Sequence, residues 1–265
     1  MNEGVRVGRR PGTGPQLMPS TTRRGSLLAL AVLAVGTSGI DHEPPPTNPA
    51  VAPRPRDAEW LARHEALVAK AGQGGVDLVF LGDSITEFWA YHAPATWAEY
   101  YGPRRALNLG IGGDQTQHVL WRVDHGELDG IEPKVVVLMV GTNNLPEQPE
   151  GQVVEGVRAV VDRVRGKLPR SKILLLGLTP RGVGPQDLGR IAIEPDPRVA
   201  RINAKLAGLA DGRVVRFLDF GPKLLDDQGR VIRAIEPDFL HPNHLGYRIW
   251  AGAMEPTLRE MMAGR

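Results

Sequence analysis

A serine hydroxyl becomes an effective nucleophile only when a base takes its proton, and an imidazole serves as that base when a carboxylate orients it. Ser84 stands in Leu81-Gly82-Asp83-Ser84-Ile85-Thr86, directly after an apolar run. Asp238-Phe239-Leu240-His241 sets a carboxylate and an imidazole three residues apart, a spacing that lets them face each other on one turn. Each pattern alone is weak, because a Gly-Asp-Ser turn usually serves only the chain's direction and an Asp-x-x-His pair is usually solvated. Together they point to attack by Ser84 on a carbonyl carbon, with His241 as base and Asp238 as its orienting group. The carbonyl oxygen would then gather negative charge and need prepositioned N–H donors.

The elements that must carry these groups read as alternating strands and helices. Val76–Leu81, Ala106–Leu109, Val135–Val140, Ile173–Leu178 and Val214–Leu218 are short runs rich in Val, Leu and Ile, the pattern of strands buried on both faces. Helical candidates lie around them at Glu59–Ala71, Thr116–Gly126, Val153–Leu168, Val199–Ala210 and Leu245–Met262; in the third, Val153, Val157, Val160, Val161 and Val164 form one apolar face. The expectation is an α/β fold, a five-stranded parallel sheet between two helical layers. Ligands of such sheets sit beyond the carboxyl ends of the strands. Three loops there pair glycine with polar side chains: 82–86 (Gly-Asp-Ser-Ile-Thr), 110–114 (Gly-Ile-Gly-Gly-Asp) and 141–144 (Gly-Thr-Asn-Asn).

From Val76 onward the chain resembles the SGNH (GDSL-like) hydrolase superfamily, and within it most of all the platelet-activating-factor acetylhydrolase Ib catalytic-subunit-like esterases. The stretches that carry the resemblance are 82–86, Asn-Leu-Gly-Ile-Gly-Gly-Asp-Gln-Thr at 108–116, His-Val-Leu-Trp-Arg at 118–122, Val-Gly-Thr-Asn-Asn at 140–144, Leu-Gly-Leu-Thr-Pro-Arg-Gly at 176–182 and Asp-Phe-Leu-His at 238–241. It implies the flavodoxin-like three-layer α/β/α sandwich of that superfamily and a serine esterase working through an acyl-enzyme. It also implies an oxyanion hole made by the backbone N–H of Ser84, the backbone N–H of Gly113 and the side-chain amide of Asn143, with Asn144 left to brace its loop. No cofactor is required, and a homodimer is compatible with the resemblance. The Gly-x-Ser-x-Gly elbow of the α/β-hydrolases is absent, since Thr86 stands at the second glycine position.

Ile85, Thr142 and Leu240 flank these groups and are expected as substrate-binding walls, whose bulk favours a short acyl chain, acetyl first. The loop Gly182–Pro197 is expected to overhang the site and shape the leaving-group side. Glycan, lipid and other small-molecule esters all fit this chemistry. An acyltransferase would share the acyl-enzyme, and a secreted carbohydrate- or protein-binding module could keep the fold without catalysis, although a degenerate site would usually have lost one of its groups. Of the other histidines, His244 competes with His241 but lacks the i+3 relation to Asp238. His118 is expected to brace the pocket, His92 to lie in a loop, and His64 and His125 to be solvated. Asp114 reads as a helix N-cap with Gln117 as its capping-box partner. No convergent metal-ligand set and no phosphate-loop fingerprint is evident.

Of the 265 residues, 42% are hydrophobic and 23% charged, the balance of a globular chain able to bury a sizeable core. The net charge of +2 comes from the N-terminus: five of 32 basic and three of 30 acidic residues lie in 1–50, leaving 27 of each sign in the rest. A nucleic-acid partner would need a basic surplus there. The absence of cysteine excludes disulfides and thiolate chemistry. Arg23-Arg24, the apolar run Leu27 to Val35 and then Gly-Thr-Ser-Gly follow the order of an export signal, by the secretory or the twin-arginine route. That run is too short for a stable membrane span. Residues 1–39 are thus expected as an export signal region to a periplasmic or extracellular location, 40–56 as a Pro-rich extended linker, and 57–265 as the catalytic domain.

Overall fold

The runs of Val, Leu and Ile form one parallel five-stranded sheet. The computed structural model describes residues 48–183 and 189–263; the expected signal region 1–39 and the first part of the linker, 40–47, lie outside the described residues. The strands are β1 (Leu78–Gly82), β2 (Ala106–Gly110), β3 (Val135–Met139), β4 (Lys172–Leu176) and, after a two-residue β5 (Ala192–Ile193), β6 (Val215–Leu218), in the order β2-β1-β3-β4-β6. Side chains alternate along each strand. Val79, Leu81, Val136, Leu138, Ile173 and Leu175 enter one core, while Leu78, Phe80, Val135, Val137, Leu174 and Leu176 enter the other. The first core is closed by α1 (Ala58–Ala71), α5 (Thr116–Asp124), α6 (Glu150–Lys167) and α7 (Pro197–Ala207). The second is closed by α3 (Trp89–His92), α4 (Pro94–Tyr100) and α8 (His244–Ala263). The expected three-layer sandwich is therefore the observed one.

Five short elements went unread in the sequence. The stretch after β1 breaks into three short helices, α2 (Ser84–Glu87), α3 and α4, the last begun by Pro94 at its first turn. None is long enough to show a helical period. β5 pairs antiparallel with β7 (Val231–Ile232), a two-residue ladder with no compositional mark.

Residues 48–56 are not a free linker. Asn48 caps a 3-10 turn and donates to Gln152 O at 3.2 Å, Ala50 is fully buried, and Thr116 Oγ1 donates to Ala50 O at 2.8 Å. The contact is close because Gly156 lacks a side chain: a Cβ there would lie 2.9 Å from that of Ala50. Proline content predicted an extended chain; docking arises from this fit, which composition does not encode.

The strand ends are tied together by Arg122, which is fully buried on α5. Its Nη2 donates to Gly82 O at 2.9 Å and its Nη1 to Leu109 O at 2.8 Å, the last carbonyl of β1 and the last but one of β2. Its Nε lies 2.8 Å from Asp114 Oδ2, and Nη1 also pairs with Glu127. Asp114 is thus an ion-pair partner of Arg122 and a 2.7 Å acceptor for Trp60 Nε1, not the expected N-cap; Gln115 caps α5, with His118 in the capping box. Replacing Arg122 by Leu leaves buried Glu127 without its cation and Asp114 with only the more distant Arg56. A loss of about 3–5 kcal/mol is expected from urea denaturation midpoints, with Arg122→Lys recovering only part, because one ammonium cannot reach all four acceptors.

Candidate functional site

β1 is the pivot of the sheet, pairing with β2 on one side and β3 on the other. The chain crosses one face between β1 and β2 and the other face afterwards, so the crevice at the carboxyl end of β1 is the topological switch point where such sheets bind ligands. Ser84 stands two residues past β1, as the first residue of α2. Asp83, not Ser84, caps that helix, accepting from Ile85 N at 3.0 Å. This leaves the Ser84 hydroxyl for another partner. α2 can sit so close over the sheet because β2 ends in Gly110; a Cβ there would fall 2.2 Å from Glu87 N.

The partner is His241. Ser84 Oγ lies 2.9 Å from His241 Nε2, and His241 Nδ1 lies 2.6 Å from Asp238 Oδ2. The turn joining Asp238 and His241 is not helical, as the i+3 argument assumed. Phe239 adopts φ 59°, rare for a bulky residue. Its ring is buried with Ile193 and Val231, and Arg233 stacks over it at 4.7 Å. Its carbonyl accepts from Gly182 N at 2.8 Å, so the start of the Gly182–Pro197 loop pins this turn. Residues 184–188 of that loop lie outside the described residues.

Asp238 Oδ1 accepts from the backbone N–H groups of Leu240 and His241, at 3.1 and 2.7 Å. Partial burial pushes the Asp238 pKa upward, but the His241 ring and these N–H groups outweigh it and hold it at about 2. The carboxylate is ionised at neutral pH.

The three glycine-bearing loops do converge. Gly112 lies beside Ser84, 3.8 Å separating its Cβ position from Ser84 Cβ, and Asn143 Nδ2 donates to Asp114 O at 3.0 Å. An amide carries two such hydrogens, so one remains. Gly113 has φ +78°, a backbone that glycine adopts without strain, and neither its N–H nor that of Ser84 has a partner among the described residues. Asn144 braces the loop as expected, accepting from Thr116 N at 3.1 Å and donating to Gln148 Oε1 at 3.0 Å.

Two of the three expected wall residues point inward. Ile85 follows Ser84 on α2, and a helical step of about 100° that sends Ser84 to the mouth sends Ile85 into the core; it is 1% exposed. Thr142 is equally buried, while Leu240 stays half-buried near the mouth. The open space lies elsewhere: a cavity of about 490 Å³ lined by Phe88, His92, Asp238, His241 and His244 among others. His92, expected in a loop, belongs to α3, and its Nδ1 sits 2.8 Å from Pro242 O, next to His241. Phe88 packs on the His241 ring at 4.9 Å. Neither role was read from sequence, because nothing in the spacing of residues 88–92 relates them to 241. His64, expected solvated, is buried against Trp60 and Trp121, and burial lowers its pKa; burial likewise takes His118 down to about 4. Among the described residues no group of three or more His, Cys, Asp or Glu is placed to hold a metal, and no helix is long and apolar enough to cross a membrane.

The profile of the GDSL-like Lipase/Acylhydrolase family matches residues 80–249. The chain belongs to this family. It is accordingly a carboxylic ester hydrolase, and its SGNH resemblance carries over to relatives along most of its length. Platelet-activating factor acetylhydrolase IB subunit alpha1 of Bos taurus is 37% identical over 220 residues, 81% of this chain and 91% of that protein. Subunit alpha2 of Rattus norvegicus is 35% identical over 207 residues, 76% of this chain and 86% of that protein. A GDSL-like lipase of known structure from Bacteroides thetaiotaomicron superposes with a TM-score of 0.57 at 18% identity, over 75% of this chain and 97% of that one, a likeness of fold.

Beneath this GDSL site lies Glu236, fully buried, with no hydrogen-bond partner for either carboxyl oxygen among the described residues. Burial, with the charge of Asp238 adding, pushes its pKa from 4.5 up to about 9. The folded protein therefore holds a proton that the unfolded chain has released, so this contribution to stability is full below pH 4.5 and drains away up to about pH 9. In melting curves across that range, the wild type should lose stability relative to Glu236→Gln as pH rises; parallel curves would show that the carboxyl is not held neutral.

Proposed function

We propose that the protein is a serine esterase that removes short acyl groups, acetyl foremost, through a Ser84 acyl-enzyme. The observation that carries the proposal is the unbroken relay from Ser84 Oγ through His241 to Asp238, at 2.9 and 2.6 Å. Ser84 Oγ attacks the ester carbonyl while His241 Nε2 takes its proton. The resulting oxyanion is met by the N–H groups of Ser84 and Gly113 and the remaining amide hydrogen of Asn143. His241 then passes its proton to the departing alcohol oxygen, leaving acyl-Ser84. Water repeats the sequence, giving up a proton to His241 as it attacks; the acid leaves and Ser84 Oγ recovers the proton.

Because His241 must reach the leaving oxygen, the alcohol belongs on the His241 side, where the 490 Å³ cavity opens. A bulky alcohol and a small acyl group are thereby favoured, in keeping with the acetylhydrolase names of the relatives. Hydrolysis of an acylated lipid or glycan fits equally. An exported location and a homodimer complete the proposal; the first rests on the order of residues 1–39 and the second on the family resemblance alone.

Among p-nitrophenyl esters of graded chain length, the full chain should cleave the acetate fastest. Ser84→Ala and His241→Ala should each lower kcat on the order of a thousandfold or more while melting near the wild type. Full activity in Ser84→Ala would remove the proposal, and a preference for long chains would remove its acetyl part.

A further inference from the structure

Gly112 and Gly113 share a peptide plane. The carbonyl of the first and the N–H of the second belong to one trans amide and point in opposite directions, so whatever holds the Gly112 carbonyl also aims the Gly113 N–H. The backbone brackets it with a turn bond from Asp114 N to Ile111 O at 3.2 Å, but such a bond leaves the central plane able to flip, and here that plane lies between two residues without Cβ. An outside clamp is needed.

Arg56 supplies it. Its Nη1 donates to Gly112 O at 2.7 Å and lies 3.4 Å from Asp114 Oδ1. The guanidinium covers the loop so closely that a Cβ on Gly113 would lie 3.1 Å from Nη1. The preceding peptide is pinned as well, Gly112 N donating at 2.6 Å to Glu87 Oε2, and Glu87 itself pairs with Arg63. Arg56 is held in turn on both sides: Arg54 N donates to Gln117 O at 3.3 Å, and Asp57 caps α1 by accepting from Trp60 N at 2.9 Å.

We propose that Arg56 is a positioning residue for the oxyanion hole, fixing the Gly112–Gly113 peptide so that the Gly113 N–H faces the oxyanion, and strengthening that donor by drawing charge toward the carbonyl end of the same amide. This rests on the reading of Ser84 as nucleophile and Gly113 N–H as donor. The residue lies in the docked N-terminal segment, outside the stretch 80–249 that the family profile matches. Its contribution is confined to the transition state, because the ester oxygen gathers its charge only there, so kcat should respond and KM should not.

The test compares the full chain with Arg56→Ala, Arg56→Lys and Ser84→Ala on p-nitrophenyl acetate. Arg56→Ala should lose about tenfold or more in kcat, with KM changed less than about twofold. Arg56→Lys should regain much of that loss, and added guanidinium at millimolar level should partly restore Arg56→Ala without helping the wild type or Ser84→Ala. A trifluoromethyl ketone, which binds serine as an oxyanion adduct, should weaken by the same factor as kcat/KM, while inhibition by a non-reacting amide analogue stays unchanged. If Arg56→Ala does not fold, Arg56→Gln, which keeps a neutral N–H donor, takes its place with a smaller kcat loss expected. Wild-type kcat in these variants, or kcat and inhibitor affinities that fall together without Lys or guanidinium rescue, overturns the role of Arg56. Activity in Ser84→Ala would instead overturn the nucleophile beneath it.

Discussion

Arg122 brings a full positive charge into a space closed to water, and the geometry of the site follows from what it finds there. Two of its acceptors are carbonyls at the ends of β1 and β2, Gly82 O and, one residue short of the end, Leu109 O, and two are the carboxyl groups of Asp114 and Glu127. Gly82 O also accepts from Ile111 N at 3.2 Å, so Arg122 adds a second, charged donor to a carbonyl that already closes the turn into the next loop. By meeting both strand carbonyls, Arg122 sets the relative height of the strand leading to Ser84 and the strand leading to Gly113. Asp114, seized at the same time, fixes the far end of the Gly113 loop. Arg122 is the one fully buried cation facing two carboxyls, with Arg56 reaching Asp114 from the surface, and burial pushes Glu127 up to about 7 and raises Asp114 as well. A buried ion cluster is a poor source of net stability, but its directional demands suit it to setting register.

With the strand ends fixed, the remaining demand is close approach. α2 must lie almost against β2 for the Ser84 N–H and hydroxyl to face the mouth, and Gly110 permits it by having no side chain. On the opposite wall the solution is reversed. Phe239 is bulky and sits at positive φ, a conformation that costs of order 1–3 kcal/mol. The buried ring, the stacked Arg233 and the Gly182 hydrogen bond over-determine the turn. Strain here has a geometric product: the chain reverses within three residues, so the Asp238 carboxylate meets both the ring and the backbone N–H of His241.

The legibility of this arrangement in the sequence follows the range of the interactions. The strands were readable because burial on both faces leaves unbroken Val, Leu and Ile runs, and α6 because five valines repeat on one face. Ser84, Asp238 and His241 were readable because their types and local spacing already specify a chemistry. Residues acting across the fold were not: Arg122 stood inside a recognised stretch but looked like any helical arginine, and its carbonyl partners are 13 and 40 residues away. His92, which steadies the turn after His241, is 150 residues from its partner. Ile85 and Thr142 were misread for a related reason, since adjacency in sequence to Ser84 and Asn143 placed them near the mouth, while helical rotation and core packing turned their side chains away.

The segment 48–56 shows how the same limits bear on function. Its prolines suggest a spacer, and a spacer would have no reason to present a guanidinium to a loop more than fifty residues away. Docking changes that. Asn48, Ala50 and Arg54 are held by α5 and α6, Asp57 starts α1, and Arg56 between these anchors has little freedom except to face Gly112. The proposed donors of the oxyanion hole, Ser84, Gly113 and Asn143, lie just beyond the strand ends, yet the Gly112–Gly113 peptide is held by Arg56 from outside them. With Arg56 in its proposed role, a catalytic geometry needed to within a fraction of an ångström is completed by a stretch whose composition marks it as expendable.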